Sequence, residues 1–184
     1  MTPITVQERR SALGVAGGLT FGAIAVAAIV RAGWAAETRR LLGFRFAGVP
    51  ARLDTAASIF AGNARLLAAV FAAILVAQSP WLAGGNARRG RVMSALTAAV
   101  DTVLALAVAV NVALVGAALG AYGDRMALAM LPHGPLEVAA YALALAVYLH
   151  ARREPIAARR ILAVGAMCLA LLGVAALLET FAVP

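Results

Sequence analysis

The segment "LPHGPLE" (Leu131 to Glu137) sets an imidazole, His133, and a carboxylate, Glu137, four residues apart at the opening of a long apolar run. Such a pair can relay a proton, hold a cation or activate a water molecule. Further polar side chains stand within or beside apolar stretches at Asn63, Arg65, Asp101, Asn111 and Glu179. Placing an ionisable group at bilayer depth costs at least about 2.5 kcal/mol, so it pairs, faces a cavity or serves function. A transport relay would run through His133, Glu137 and Glu179. A hydrolytic site fits poorly, because no second histidine stands at metal-ligand spacing and Ser58, Ser79 and Ser94 sit in no nucleophile-elbow motif. No catalytic residue, cofactor or metal is therefore expected.

Each of these residues also has a structural explanation. Pro132 and Pro135 disfavour helix just before them and Gly134 permits a sharp turn, so a helix should restart at Pro135. Glu137 then falls in its first turn, where it can cap free N–H groups; alternatively "MALAMLPHGPLE" (Met126 to Glu137) dips into the membrane as a re-entrant or broken helix and turns His133 and Glu137 into a cavity. Glu179, near a helix C-terminus, meets the unfavourable end of the dipole; it reaches outer water or takes a donor from Arg65, Asn63 or Asn111. Asn111, in mid-span, reads as interhelical glue, Asp101 as a solvated edge residue, and His150 as a favourable C-terminal cation.

The elements that must carry these residues are spans. The 184-residue chain is 64% hydrophobic and 13% charged with a mean hydropathy of +0.92, far more apolar than a soluble domain. A bilayer core takes roughly 20 apolar residues, and five windows qualify: 12–30, 58–83, 102–122, 135–150 and 161–178. The expected fold is all-α, a single integral membrane domain of about five transmembrane helices plus the broken segment at LPHG. The first run is read as a retained anchor rather than a signal peptide. Gly14, Gly18 and Gly22, and again Gly116 and Gly120, form small-xxx-small steps that let helix backbones touch. Between the first two spans, "RAGWAAETRRLLGFRFAGVPARLD" (31–54) mixes five arginines with Trp34, Leu41, Leu42, Phe44 and Phe46, the composition of an amphipathic interfacial stretch or a partner-docking surface.

Sixteen arginines against eight acids give a net charge of +8. They cluster at the ends of apolar runs, where anionic headgroups lie, so nucleic acid is not expected as a partner. A cytoplasmic N-terminus places nine of the sixteen inside, a slim positive-inside bias. The lone Cys168, within an apolar run, is a buried small hydrophobe with no disulfide or metal role.

Taken together, "IFAGNARLL" with Asn63, "NVALVGAALG" with Asn111, "LPHGPLE" and the terminal "LLETFAVP" with Glu179 resemble the bacterial stage II sporulation protein M family over about Ser58 to Pro184. The resemblance implies a multi-pass inner-membrane protein that is not an enzyme; the namesake is a membrane scaffold in a complex with peptidoglycan hydrolases. It also implies a polar set of Asn63, Asn111, His133, Gly134, Glu137 and Glu179. The chain departs from the family in its highly basic first loop and in lacking glycines one or two turns after the signature glutamate. The expected function is scaffolding or recruitment in a cell-envelope or peptidoglycan-remodelling complex of the bacterial inner membrane, with proton-linked transport as the alternative. Its expected partners are the lipid bilayer and other membrane proteins, with a homo-oligomer also open.

Overall fold

The structure, a computed structural model, describes residues 6–44, 50–82 and 87–182, with the side chains of 80–91 excepted. Seven helices and no strand occur among the described residues: α1 (Val6–Gly33), α2 (Ala35–Leu42), α3 (Leu53–Leu82), α4 (Ala87–Tyr122), α5 (Asp124–Met130), α6 (Gly134–Ala151) and α7 (Ala158–Phe181). Five of them, α1, α3, α4, α6 and α7, are long and apolar enough to cross a membrane. The chain is a multi-pass membrane protein. Backbone polar groups satisfied within each helix are what hydrocarbon demands.

The helices outrun the apolar windows. α4 begins at Ala87 rather than near residue 102, and α3 at Leu53 rather than 58, because arginine and alanine sustain a helix as well as leucine does. The end of the second expected span at Ala83 and Arg45 and Phe46 of the interfacial stretch lie outside the described residues.

α6 sits at the centre, packed against α1, α3 and α7. Eight of its eighteen residues are buried, Ala140, Ala144 and Ala151 with no exposed surface, as a helix enclosed by others requires. Leu67, Val70 and Ile74 of α3, Val147 of α6, and Cys168 and Leu172 of α7 fill the core with it. The Cys168 thiol donates to the Ala140 carbonyl at 3.3 Å, consistent with its expected packing role.

α1 and α4 run parallel and touch along the small residues of α4. A Cβ on Gly116 would stand 2.6 Å from the Ala23 carbonyl oxygen, and one on Gly120 2.5 Å from that of Ala27. Only glycine admits that approach. On α1 the expectation holds for Gly22 alone, which faces Val112; Gly14 and Gly18 meet nothing within 4 Å. At about 100° per residue those two, with Gly17, lie on the face turned away from α4.

The segment after α1 does form an amphipathic helix. α2 ends on Gly43 in the left-handed conformation (φ 58°), and it is pinned to the end of α4: the Phe44 N–H donates to the Tyr122 hydroxyl at 3.0 Å, and that hydroxyl donates to the Arg39 carbonyl at 3.3 Å. Trp34 and Leu41 remain exposed.

Candidate functional site

The chain reverses after α4 at Gly123, whose φ of +60° suits glycine. α5 then returns for seven residues before the turn 131–133 and the restart of helix at Gly134, one residue earlier than expected. Asp101 of α4 stands level with Tyr148 of α6, to which it is bonded. Counting at 1.5 Å per residue, α4 continues about 32 Å beyond that level and α6 about 21 Å, so the LPHG break lies about 10 Å inside the end of α4. The break is therefore carried back alongside α4, as a broken helix.

There the structure gathers residues from three helices and the break. His133 is buried, 8% exposed, and its Nδ1 has no hydrogen-bond partner. Glu137 is half-buried and does not cap its helix: Asn63 Nδ2 of α3 donates to its Oε1 at 2.5 Å, while the Leu136 and Glu137 N–H groups donate to the His133 carbonyl. That corrects the capping alternative, and the physical reason is rotation: the carboxylate faces α3 and a strong amide donor. Tyr141, one turn on, donates its hydroxyl to the Asn63 carbonyl at 3.1 Å and fixes the α3 backbone there. Glu179 of α7 lies within direct electrostatic reach of both His133 and Glu137. Burial holds the His133 imidazole below its ordinary range, with the negative charge of Glu179 pulling the other way.

Of the expected polar set, Asn63, His133, Gly134, Glu137 and Glu179 converge and Asn111 does not. Asn111 is exposed on α4, and its amide donates to the Ala107 carbonyl of its own helix at 2.8 Å. Among the described residues it ties α4 to no other helix, because a carbonyl four residues back satisfies its amide locally. Arg65 is exposed and is no donor to the cluster. Asp101, expected in water, instead accepts from the Tyr148 hydroxyl and pairs with Arg152. His150 sits 3.8 Å from Glu154, one turn on at the end of α6. Ser79 donates to the Val76 carbonyl, sixteen residues along α3 from Asn63 and so about 24 Å from the cluster.

Sequence reasoning missed two braces at the opposite, arginine-rich end. Gln78 of α3 is buried and uses its whole amide: Nε2 donates to the Ala151 carbonyl at 2.8 Å and the Glu154 carbonyl at 3.1 Å, and Oε1 accepts from the Ile156 N–H at 2.8 Å. Glu8, buried at the start of α1, pairs with Arg160 at the start of α7. A polar amide inside an apolar run was the available signal for Gln78; nothing local marks Glu8.

Comparison with protein-family models, with curated proteins and with solved structures finds no match to this chain.

Proposed function

We propose that the protein is a non-catalytic membrane subunit that holds partner proteins in a complex of the bacterial inner membrane, with its N-terminus in the cytoplasm. The observation that carries this reading is how the polar side chains are used. Asn63 with Glu137, Gln78 with the α6–α7 connection, Asp101 with Tyr148 and Arg152, and Glu8 with Arg160 each tie one helix to another. Polar contacts of that kind brace a bundle, and a braced bundle presents fixed outer faces on which other membrane proteins can dock. The likeness of LPHGPLE and LLETFAVP to the stage II sporulation protein M family supports the same class and suggests cell-envelope or peptidoglycan remodelling as the setting.

A second reading is favoured by one feature, the unpartnered Nδ1 of buried His133 within electrostatic reach of the Glu179 carboxylate, which also acts on Glu137. Such a group is suited to a proton-linked carrier.

The two separate in one set of experiments. Purification of the full chain in mild detergent should bring down membrane subunits at fixed stoichiometry. Gly14→Leu and Gly18→Leu, which meet nothing in the chain, should leave its thermal stability unchanged; if partner contact uses that face, they release the partner. A purified chain that stays alone and moves protons across liposomes, with the flux lost in Glu137→Gln, would replace scaffolding by transport. Glutamine keeps much of the hydrogen bonding but carries no proton.

A further inference from the structure

A groove of about 550 Å³ opens between α1, α4 and α6 on the side of the bundle away from the helix break. Its walls are apolar, with Val15 and Leu19 from α1, Leu104 and Val108 from α4, and Leu145 from α6. Arg152 and Arg153 stand at one end of it with Asp101 and Tyr148. From the arginines to Leu145 is about two turns, so the groove runs about 10 Å from a charged mouth into apolar surroundings.

The mouth is built rather than incidental. Asp101 accepts from the Tyr148 hydroxyl and pairs with Arg152, which fixes one guanidinium in place and consumes the acid. A guanidinium has five N–H donors, so Arg152 keeps several. Arg153 is exposed and forms no ion pair among the described residues. The mouth thus carries a net positive charge at the end of the bundle that also holds Arg9, Arg10 and Arg159.

We infer that this groove binds one anionic glycerophospholipid, its phosphate on Arg153 and the remaining donors of Arg152, and an acyl chain between α1, α4 and α6. The charge selects a phosphodiester without a compensating ammonium. The apolar walls distinguish a lipid from a free phosphate, which would gain nothing from them. Basic pockets between membrane helices on the positive side of the bilayer bind lipid headgroups for the same reason. The inference is independent of whether the protein scaffolds or transports.

The test uses the full chain, delipidated in neutral detergent, titrated with phosphatidylglycerol and with phosphatidylcholine and followed by native mass spectrometry and thermal unfolding. Phosphatidylglycerol should bind one per chain and raise the unfolding midpoint, with phosphatidylcholine much weaker. Arg153→Gln should weaken phosphatidylglycerol about fivefold, the worth of one basic residue at a membrane surface. Ala105→Phe places a ring into the groove from an exposed position and should abolish lipid binding while the lipid-free midpoint stays that of the native chain. Equal affinity for the two lipids, or a preference undiminished in Arg153→Gln, overturns the inference. So does displacement by inorganic phosphate with Ala105→Phe without effect, which would mean an ion site only.

Discussion

Gln78 is the residue whose replacement should test the bundle's internal logic most sharply. Its amide makes three hydrogen bonds to the backbone where α6 hands over to α7. Gln78→Leu keeps the volume and removes all three. Ala151 is buried and Ile156 half-buried, so their carbonyl and N–H lose their partner without gaining water, at about 1–3 kcal/mol each; the exposed Glu154 carbonyl rehydrates at little cost. Against a loss of about 3–4 kcal/mol, burying leucine in place of an amide returns about 1–2 kcal/mol. The net destabilisation should be about 2 kcal/mol. Gln78→Glu sharpens the case. At pH 8 a carboxylate would face the two carbonyl oxygens that the amide now serves, and only its acceptor role toward Ile156 survives. That variant should be less stable than the leucine variant at pH 8 and recover toward pH 5, where a protonated acid again donates. Thermal unfolding of the full chain in neutral detergent reads the order, and amide exchange at Ile156 reads the local opening. A leucine variant as stable as the native chain, or a glutamate variant with no more pH dependence than the native chain, would refute the assignment.

At the helix break, Asn63→Asp sets a third acid against Glu137 and Glu179 and should cut the yield of folded protein; adding Glu137→Gln should restore much of it, as a coupled pair requires. Gly120→Ala puts a methyl 2.5 Å from the Ala27 carbonyl and should cost about 1–3 kcal/mol in detergent unfolding, whereas Gly18→Ala should leave stability within about 0.5 kcal/mol of the native chain. His133, held below its ordinary range by burial, binds its proton more readily unfolded than folded. Stability at the break should therefore fall as pH drops below about 6.5 and level off below the folded value, and His133→Gln should flatten that slope in hydrogen exchange of residues 131–137.

What could be read in the sequence follows from which signals are local. Uninterrupted apolar runs locate five spans because a bilayer sets their length, and Pro132, Gly134 and Pro135 mark the break because their backbone restrictions act on immediate neighbours. Asn63 and Glu137 stood out as polar residues in apolar settings. That they bond each other was not legible, since pairing depends on how α3 and α6 are rotated and slid. Asn111 gave the same local signal and means something different: on an exposed face its own helix supplies the acceptor. Gln78 gives a weaker signal, because a single neutral amide does not interrupt an apolar run. Glu8 and Arg160 lie at the edges of their spans, where charge is ordinary, and only the meeting of α1 with α7 turns them into a buried pair.

The helix break also has a reason in lengths. α4, with 36 residues, is about 54 Å long, well beyond a hydrocarbon core of about 30 Å, while α6, with 18, is about 27 Å. Two helices of such different length, tied level at Asp101 and Tyr148, cannot be joined by a short turn at their far ends. The chain must travel back about 10 Å, and seven residues of α5 are about that long. A continuous helix through residues 123–137 would lift Glu137 away from Asn63. The breakers thus place the acid, and the return strands His133 inside, where its Nδ1 has no partner. Shortening α4 by two turns, from Val115 to Tyr122, would remove the need for α5, and with it the only geometric reason for an imidazole to be buried at that depth.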